Sequence, residues 1–213
     1  MAQDIVAIDA VLNLAPVVPV LILDDLETAV AVGRALVSGG LPALEVTLRT
    51  ARALDCIRAL AALEGAVVGA GTVLDGNQAK AAADAGARFL VSPGATAQLV
   101  ADAEACRVPL LPGVATAGEA MAMLERGYSR LKFFPAESVG GVGHLRSLAS
   151  PLPMLRFCPT GGIERGKAPA YLALPNVACV GGSWVAPADA IKARNWSEIE
   201  VLARQANSLK RQS

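Results

Sequence analysis

The chain has 213 residues, with 19 basic and 19 acidic side chains and one histidine. This length suits one full-sized core, so we expect a single domain over residues 1–213. The zero net charge argues against a nucleic-acid-binding protein, and 54% hydrophobic content excludes a disordered chain. The apolar runs are too short to span a membrane, and the acidic N-terminus does not resemble a secretion signal. A cytoplasmic protein without a membrane partner is therefore expected.

Eight short runs of β-favouring residues recur along the chain, and a helical pattern follows most of them. The predicted strands are Val17–Leu23, Ala43–Leu48, Val67–Thr72, Phe89–Ser92, Pro109–Gly113, Leu131–Phe134, Leu155–Pro159 and Val177–Gly181. Residues 4–14 predict an extra N-terminal helix. Strands that alternate with helices form a parallel sheet, and eight such units in about 200 residues fit a small α/β protein of the (β/α)8 or TIM-barrel type. An open doubly wound sheet is the alternative, although no Gly-x-Gly-x-x-Gly opens the first helix.

Capping residues precede several of these helices: Asp24 or Asp25, Thr50, Thr96 and Thr116. Glu119 follows Thr116 by three residues, which is the spacing of a capping box. Glycines close the helical patterns at Gly39, Gly65, Gly86 and Gly127. The pattern after the first cap predicts one helix face formed by Leu26, Val30, Gly33 and Val37.

The histidine and the cysteines predict no metal chemistry. A lone His144 cannot build a multi-histidine site, and its position after Gly-Gly-Val-Gly is typical of a surface side chain. Four cysteines without Cys-x-x-Cys spacing are expected to be buried thiols in a reducing compartment: Cys56, Cys106, Cys158 and Cys179. We therefore predict no metal ion and no cofactor.

The second predicted strand carries polar residues on one face. Alternation places Glu45, Thr47 and Arg49 on the same side, opposite three apolar residues. Since the outer face of a barrel strand meets helices, the polar face should point into the barrel. A buried ion pair without a function is the simpler interpretation. We favour a functional role because buried charge is costly and is not needed to fill a barrel.

Lys132 lies in the apolar sixth strand, Leu131–Phe134. It is either an edge residue whose ammonium reaches solvent or a desolvated amine inside the barrel. Burial disfavours the ammonium form, and the neutral amine is a nucleophile. Together with Glu45 and Arg49 on another inward face, the catalytic interpretation is the stronger one.

Double glycines follow the last two predicted strands, at Gly161-Gly162 and Gly181-Gly182. Without side chains, their backbone N–H groups can approach an anion closely, and these two loops are the usual phosphate site of a TIM barrel. Tight turns without a ligand are the alternative. The occurrence of both pairs at the expected positions favours phosphate.

Several motifs together resemble the family of 2-keto-3-deoxy-6-phosphogluconate (KDPG) aldolase and 4-hydroxy-2-oxoglutarate (KHG) aldolase. They are EVTLRT (45–50), GAGTV (69–73), SPG (92–94), PG (112–113), KFFPAE (132–137), RFCPTGGI (156–163) and GGSW (181–184), in order from about Pro16 to Asp189. Residues 164–167, Glu-Arg-Gly-Lys, depart from the family pattern next to the predicted phosphate loop.

The resemblance implies a class I aldolase, a lyase of the Entner–Doudoroff pathway that needs no metal, and a homotrimer. Lys132 would form a Schiff base with a phosphorylated keto-acid substrate, and Glu45 would transfer protons. The resemblance assigns substrate binding to Arg49, Thr72, Pro93, Phe134 and Thr160, and phosphate binding to Gly161, Gly162, Gly182 and Ser183. The products would be pyruvate and glyceraldehyde 3-phosphate. The alternatives are an aldolase that prefers KHG or the galactonate epimer, and a non-catalytic phosphosugar-binding barrel.

Overall fold

The computed structural model describes residues 3–210 and contains a curled parallel sheet surrounded by helices. The strands are β1 (Val17–Leu21), β2 (Ala43–Thr47), β3 (Val67–Gly71), β4 (Phe89–Val91), β5 (Leu110–Leu111), β6 (Gly113–Val114), β7 (Arg130–Phe133), β8 (Arg156–Pro159) and β9 (Val180–Gly182). The helices are α1 (Ile5–Leu12), α2 (Leu26–Ser38), α3 (Ala53–Ala61), α4 (Gly76–Asp84), α5 (Ala97–Ala105), α6 (Ala117–Glu125), α7 (Gly141–Ala149), α8 (Ala168–Leu172), α9 (Ala188–Lys192) and α10 (Trp196–Asn207), with a 3-10 turn at Glu137–Val139. No helix in this described range is long and apolar enough to cross a membrane.

The strands form two arcs that together make a barrel. One arc has the order β5-β4-β3-β2-β1-β9 and the other has the order β6-β7-β8, all parallel. Pro112 separates β5 from β6, because proline has no N–H to donate to the ladder. Parallel bridges from Phe157 to Val177 and from Thr160 to Gly181 join β8 to the β9 side. With β5 and β6 as one strand position, the predicted (β/α)8 barrel with an N-terminal helix is confirmed.

Helix α1 closes the end of the barrel at which the strands begin. Its apolar side chains Ile8, Val11 and Leu12 join an interior cluster that includes Phe89 and Leu111. Burying such side chains contributes about 1.5–3 kcal/mol each.

Polar contacts fix α1 at this end. Asp9 accepts hydrogen bonds from the Arg130 guanidinium at 2.6 Å, and Arg130 is the first residue of β7. The Gln3 amide donates to the Leu110 and Arg130 carbonyl oxygens at 3.0 and 2.8 Å. The opposite end of the barrel, where the strands finish, is therefore the one left for a site.

Local capping signals predicted several helix starts correctly. Asp25 caps α2 through the Thr28 N–H, and Thr96 caps α5 through the Leu99 N–H. Thr116 and Glu119 form the complete capping box of α6. Because these bonds join residues three positions apart, the sequence alone is enough to predict them.

Other local predictions were wrong. Thr50 is not a cap: α3 begins at Ala53, with Arg52 at the cap position, and the Thr50 hydroxyl donates to the Leu23 carbonyl oxygen instead. The last strand is Val180–Gly182, and Val177 takes part only in an isolated bridge.

Two predictions of burial also need correction. The buried face of α2 consists of Ala29, Val32, Gly33, Ala35 and Leu36, whereas Leu26, Val30 and Val37 flank it and are half-buried. Three of the four cysteines are buried thiols, but Cys106 is only half-buried.

Candidate active site

Lys132 and Glu45 meet inside the barrel. Both side chains are about 96% buried, and Lys132 Nζ donates to Glu45 Oε1 at 3.3 Å. Lys132 comes from β7 and Glu45 from β2, strands that belong to different arcs. The contact therefore crosses the interior. Both side chains point inward, which alternation along β2 predicts for Glu45.

A glycine on the neighbouring strand makes room for the Glu45 side chain. β3 pairs with β2, and Glu45 is in register with Gly69. A Cβ atom at Gly71 would lie 2.2 Å from Glu45 Oε1 and 2.7 Å from its Cγ. Any side chain at residue 71 would thus displace the carboxylate. Glycine inside a strand often marks such a close approach.

An aromatic ring also lies close to the Lys132 amine. Nζ lies 5.1 Å from the centroid of the Phe134 ring, a distance at which the ring face attracts a cation. The Lys132 backbone is held by a hydrogen bond from its N–H to the Pro112 carbonyl oxygen at 2.9 Å. Thr47, the next inward residue of β2, donates its hydroxyl to the Leu21 carbonyl oxygen at 2.9 Å. Its hydroxyl is therefore used within the barrel wall.

Arg49 and Thr72 form a second contact at the rim. Arg49 Nε donates to Thr72 Oγ1 at 3.0 Å, and the Arg49 side chain is exposed. Thr72 has φ of 58°, in the left-handed region that β-branched residues rarely adopt. Such strain persists where surrounding structure enforces it, most often at functional sites. Two of the residues predicted to bind the substrate thus lie side by side.

A cavity of ≈ 160 Å³ opens at this end of the barrel. The residues that line it are Val20, Ile22, Arg49, Phe134, Thr160, Gly161, Gly162, Ile163, Gly181, Gly182 and Ser183. Most of the predicted substrate- and phosphate-binding residues are therefore brought together. Thr72 is linked to the cavity through Arg49.

Pro93 does not line this cavity. Its carbonyl group lies against Gly113, where an added Cβ would approach within 2.3 Å, and Gly113 is in register with Lys132. Pro93 thus neighbours the strand that flanks Lys132.

The two glycine loops interlock at the cavity wall. Gly161 and Gly162 have φ of +104° and +75°, values that favour glycine. A Cβ at Gly181 would lie 2.2 Å from Thr160 Oγ1, and one at Gly182 would overlap the Trp184 ring. Bare backbone is required here for the loops to fit, and it also leaves N–H groups without flanking side chains.

A polar cluster lies behind the Gly161-Gly162 loop. Lys167 Nζ and the Tyr171 hydroxyl both donate to the Glu137 carboxylate, and Glu137 is the last residue of the KFFPAE motif. The hydrogen bonds from Lys167 and Tyr171 lower the pKa of Glu137. Burial, followed by the bond to Glu137, raises the pKa of Tyr171. Lys167 belongs to the stretch 164–167 that departs from the family pattern.

His144 is not simply a surface residue. Its ring packs edge-on against the Phe133 ring, with the two ring centroids 5.2 Å apart. Its Nδ1 lies 2.8 Å from the Val139 carbonyl oxygen. The apolar Phe133 ring on the inner side explains why His144 is half-buried. Within the described residues, no group of three or more His, Cys, Asp or Glu side chains could hold a metal ion.

Sequence reasoning missed two residues of this region. Gly71 was quoted only as part of a motif, although a glycine at the end of a strand already signals close approach. Glu137 was treated as a motif residue without a role. Its partners Lys167 and Tyr171 lie 30 and 34 positions later, so no local pattern could have revealed the cluster.

Comparison with known proteins identifies the family of the chain. The family model "KDPG and KHG aldolase" matches residues 8–202. The 2-dehydro-3-deoxy-phosphogluconate aldolase of Zymomonas mobilis is 50% identical over 204 residues, which cover 96% of this chain and 97% of that protein. A crystal structure of 2-keto-3-deoxy-6-phospho-gluconate aldolase from Zymomonas mobilis ATCC 29191 matches with a TM-score of 0.92 at 50% identity, over 96% of this chain and 98% of that one.

A third relative bears on the chemistry. The KDPG aldolase of Legionella pneumophila, solved with pyruvate captured at low pH as a covalent carbinolamine intermediate, matches with a TM-score of 0.91 at 44% identity. This match covers 94% of the present chain and 98% of the other. A family model that spans nearly the whole chain, and relatives of about half identical sequence over almost their full length, lead to one conclusion: the chain belongs to the KDPG and KHG aldolase family.

Proposed function

We propose that the protein is a class I aldolase that cleaves 2-keto-3-deoxy-6-phosphogluconate to pyruvate and glyceraldehyde 3-phosphate. The observation that carries this proposal is the buried contact between Lys132 Nζ and Glu45 Oε1 at 3.3 Å. An amine beside a carboxylate, inside a barrel, is the minimum that Schiff-base chemistry needs. The family membership supports the same reaction.

The reaction begins with attack by the neutral Lys132 amine on the C2 ketone of the substrate. Loss of water from the carbinolamine gives an iminium ion, and Glu45 is close enough to Nζ to accept and return the protons of these steps. The iminium accepts the electron pair of the C3–C4 bond when the C4 hydroxyl loses its proton to Glu45. Glyceraldehyde 3-phosphate leaves, the enamine carbon is protonated, and hydrolysis releases pyruvate and the free amine.

The rim residues would bind the two charged ends of the substrate. Arg49 engages Thr72 through Nε, so its two terminal nitrogens are the donors that would meet the substrate carboxylate. Phe134 lies over the Lys132 amine and would limit the position of the C2 carbon. Thr160 would lie near the substrate hydroxyls. Pro93 lies outside this cavity and would act through β6, because its carbonyl group packs against Gly113.

The phosphate would bind the loops that follow β8 and β9. Gly161, Gly162, Gly182 and Ser183 line the same cavity as Arg49, so one ligand can reach both ends. Backbone N–H groups in such loops are good phosphate donors. A phosphorylated substrate would span the cavity with its C2 ketone towards Lys132, whose amine lies beside Phe134 of the cavity wall.

Trapping the covalent intermediate tests the proposal. Borohydride added together with pyruvate should inactivate the enzyme and leave a stable adduct on Lys132, detected by peptide mass spectrometry. Lys132→Arg should be inactive although the positive charge is kept, because a guanidinium remains protonated and cannot attack a carbonyl. An adduct on Lys80, Lys167 or Lys192, or no adduct at all, would overturn the assignment.

Rates on three substrates separate the alternatives. We expect kcat/KM to be highest on KDPG, with weaker cleavage of 4-hydroxy-2-oxoglutarate and of the galactonate epimer. The substitution Ser183→Asp would place a carboxylate against the phosphate, and like-charge contacts cost up to several kcal/mol. KM for KDPG should therefore rise sharply, while cleavage of unphosphorylated 4-hydroxy-2-oxoglutarate suffers far less. Equal losses on both substrates would mean that the substitution only disturbed the barrel, and no loss on either would mean that the phosphate binds elsewhere. No turnover of any substrate by the native protein would indicate a non-catalytic barrel.

We also infer a cytoplasmic homotrimer that needs no cofactor. The family resemblance supports the trimer, and large apolar side chains are exposed after β1 and β3, where Ile22 and Leu74 are 58% and 55% accessible. The four cysteines are thiols, as expected in a reducing compartment. Light scattering after size-exclusion chromatography would give the oligomeric state, and a monomer would contradict it. EDTA should leave the rate unchanged.

A further inference from the structure

The Glu137 side chain connects three segments around the Gly161-Gly162 loop. Glu137 follows β7, which carries Lys132, and its backbone N–H donates to the Gly161 carbonyl oxygen at 3.1 Å. Its carboxylate accepts hydrogen bonds from Lys167, just before α8, and from Tyr171 within α8. The loop that would hold the phosphate is therefore tied to the strand of the reactive lysine and to the helix that follows the loop.

The contact with the loop is close on the side-chain side as well. A Cβ atom at Gly162 would lie 2.9 Å from Glu137 Cβ and 3.1 Å from Glu137 Cγ. Tyr171 is fully buried, so its hydroxyl holds one carboxylate oxygen at a fixed place. The shape of the loop at Gly162 is thus set by the position of Glu137.

The charge of Glu137 makes its partners necessary. A carboxylate packed against a phosphate-binding loop would repel the phosphate if its charge were not balanced. Lys167 supplies that balance through an ion pair, with the Lys167 and Glu137 side chains 50% and 27% exposed. The lowered pKa of Glu137 agrees with a carboxylate that is held in its charged form by two donors.

We propose that Lys167 and Tyr171, acting through Glu137, position the Gly161-Gly162 loop for the substrate phosphate and neutralise the charge behind it. They are positioning residues, because the contacts given above connect them to Glu137 and not to the cavity. The proposal rests on the proposed function, since it specifies how the phosphate half of that same site is built. It gives the unusual stretch 164–167 a role in substrate selection.

The first test replaces Lys167 without disturbing the core, because this side chain is half exposed. Lys167→Met keeps the length of the side chain and removes its charge. We expect KM for KDPG to rise roughly three- to tenfold, as fits the loss of a partly exposed ion pair beside an anion. kcat on KDPG and turnover of 4-hydroxy-2-oxoglutarate should change much less. Lys167→Arg should have a KM for KDPG close to the native value, because it keeps a cation that can pair with Glu137.

A matched control separates this effect from the general loss of a lysine. Lys80 forms an exposed ion pair with Asp84 in α4, with the two atoms 2.8 Å apart. Lys80→Met should leave KM for KDPG unchanged. Tyr171→Phe, which keeps the buried ring, should raise KM for KDPG in the same direction as Lys167→Met. Equal losses of kcat/KM on KDPG and on 4-hydroxy-2-oxoglutarate in the Lys167 and Tyr171 variants would show that these residues have only a structural role. That result would overturn the proposal.

Binding of inorganic phosphate tests the inference independently of catalysis. The Trp184 ring lies against Gly182, in the second glycine loop, which follows β9. Its fluorescence is therefore a suitable probe of phosphate binding. The Kd of inorganic phosphate should rise in Lys167→Met by a factor similar to that of KM. An unchanged Kd, or no binding to the native protein, overturns the proposal. Native protein that binds phosphate but cleaves neither substrate would instead refute the proposed function, and the ratio of the two Kd values would still decide this inference.

Discussion

At the scale of single residues, the Lys132–Glu45 contact combines two ionisable groups that are each costly to bury alone as charges. Both side chains are only 4% exposed. Replacing such a pair with apolar residues is often neutral or stabilising, whereas removal of one partner leaves an uncompensated charge and costs roughly 3–5 kcal/mol. Packing therefore gives no reason to have this pair in the core, whereas the proposed reaction does. Variants that test it must keep the shape of the side chain.

Glu45→Gln is the variant that keeps shape while removing the basic oxygen. A glutamine can still accept a hydrogen bond from Lys132, but it cannot take a proton from the C4 hydroxyl. General acid–base groups contribute typically about 10²–10⁴-fold, so kcat should fall within that range. Compared with the native protein, Glu45→Gln should lose less of the borohydride trapping with pyruvate than of the turnover of KDPG. Glu64→Gln, at an exposed position, is the control, and near-native kcat in Glu45→Gln would remove Glu45 from the mechanism.

Gly71→Ala tests whether the position of Glu45, as well as its presence, is required. The added Cβ would come within 2.2 Å of Glu45 Oε1, so the carboxylate must move. Since a misplacement of about 1 Å can cost 10²-fold in rate, we expect kcat to fall by about that factor. Gly118→Ala is the control, because nothing lies within 4 Å of its added Cβ. Native kcat in Gly71→Ala would show that Glu45 tolerates displacement.

At the scale of elements, local rules succeeded and tertiary contacts accounted for the failures. The capping box of Thr116 and Glu119 uses only neighbouring residues, and it is present. Thr50 is of a residue type that often caps helices. Its hydroxyl nevertheless donates to the carbonyl oxygen of Leu23, which lies 27 positions earlier. The predicted face of α2 was rotated because α3 and α10 also pack against this helix. An added Cβ at Gly33 would meet Leu60 of α3, and one at Gly39 would meet Ala203 of α10.

In the candidate site, too, local patterns were predictable from the sequence and tertiary contacts were not. Alternation along β2 predicted the inward direction of Glu45. The apolar strand around Lys132 left its burial open, and only the polar inward face of β2 favoured the buried position that the structure shows. The 3.3 Å contact between them depends on closure of a barrel, which no local pattern contains. Glu137 is a further example, because its two partners lie in another strand–helix unit. Sequence thus predicted which side chains point inward, and the fold determined which of them meet.

Thr116→Ala should lower stability without affecting catalysis. It removes the hydroxyl that accepts the Glu119 N–H, and such caps contribute roughly 0.5–2 kcal/mol. For a chain of this size, each kcal/mol corresponds to a change in Tm of about 2–4 °C. Thermal unfolding followed by circular dichroism measures the shift, with Thr116→Ser as the control that keeps the hydroxyl. An unchanged Tm, or a reduced kcat on KDPG at temperatures well below Tm, would contradict this division between stability and function.

At the scale of the whole molecule, the two ends of the barrel have different tasks. α1, Gln3 and the Asp9–Arg130 pair close the end at which the strands begin. Lys132, near the carboxyl end of β7, and the cavity lined by Arg49 and the glycine loops lie towards the other end. An apolar cluster that includes Phe89 and the buried side chains of α1 fills the interior at the α1 end. Changes at the α1 end should therefore affect unfolding more than turnover.

The two tyrosines of the chain report on the integrity of this core. Tyr128 and Tyr171 are both buried, and each hydroxyl donates to a carboxylate, Glu104 and Glu137 respectively. Burial above all raises the pKa of Tyr128 to about 12, and it raises that of Tyr171 as well. The folded protein should therefore hold both protons at pH 10, where an unfolded tyrosine is half ionised.

Near-ultraviolet absorbance of the phenolate measures this directly. At pH 10 the native protein should show almost no phenolate, whereas the chain in guanidinium should show about half of its final signal. Because the folded pKa values lie above the unfolded value, the folded state binds more protons above pH 10, so stability must fall as the pH rises from there. The variants Tyr128→Phe and Tyr171→Phe show which tyrosine gives rise to each step of the phenolate absorbance as the pH rises. A half-complete phenolate signal at pH 10 in protein that keeps its native circular dichroism would show that neither hydroxyl is held as described.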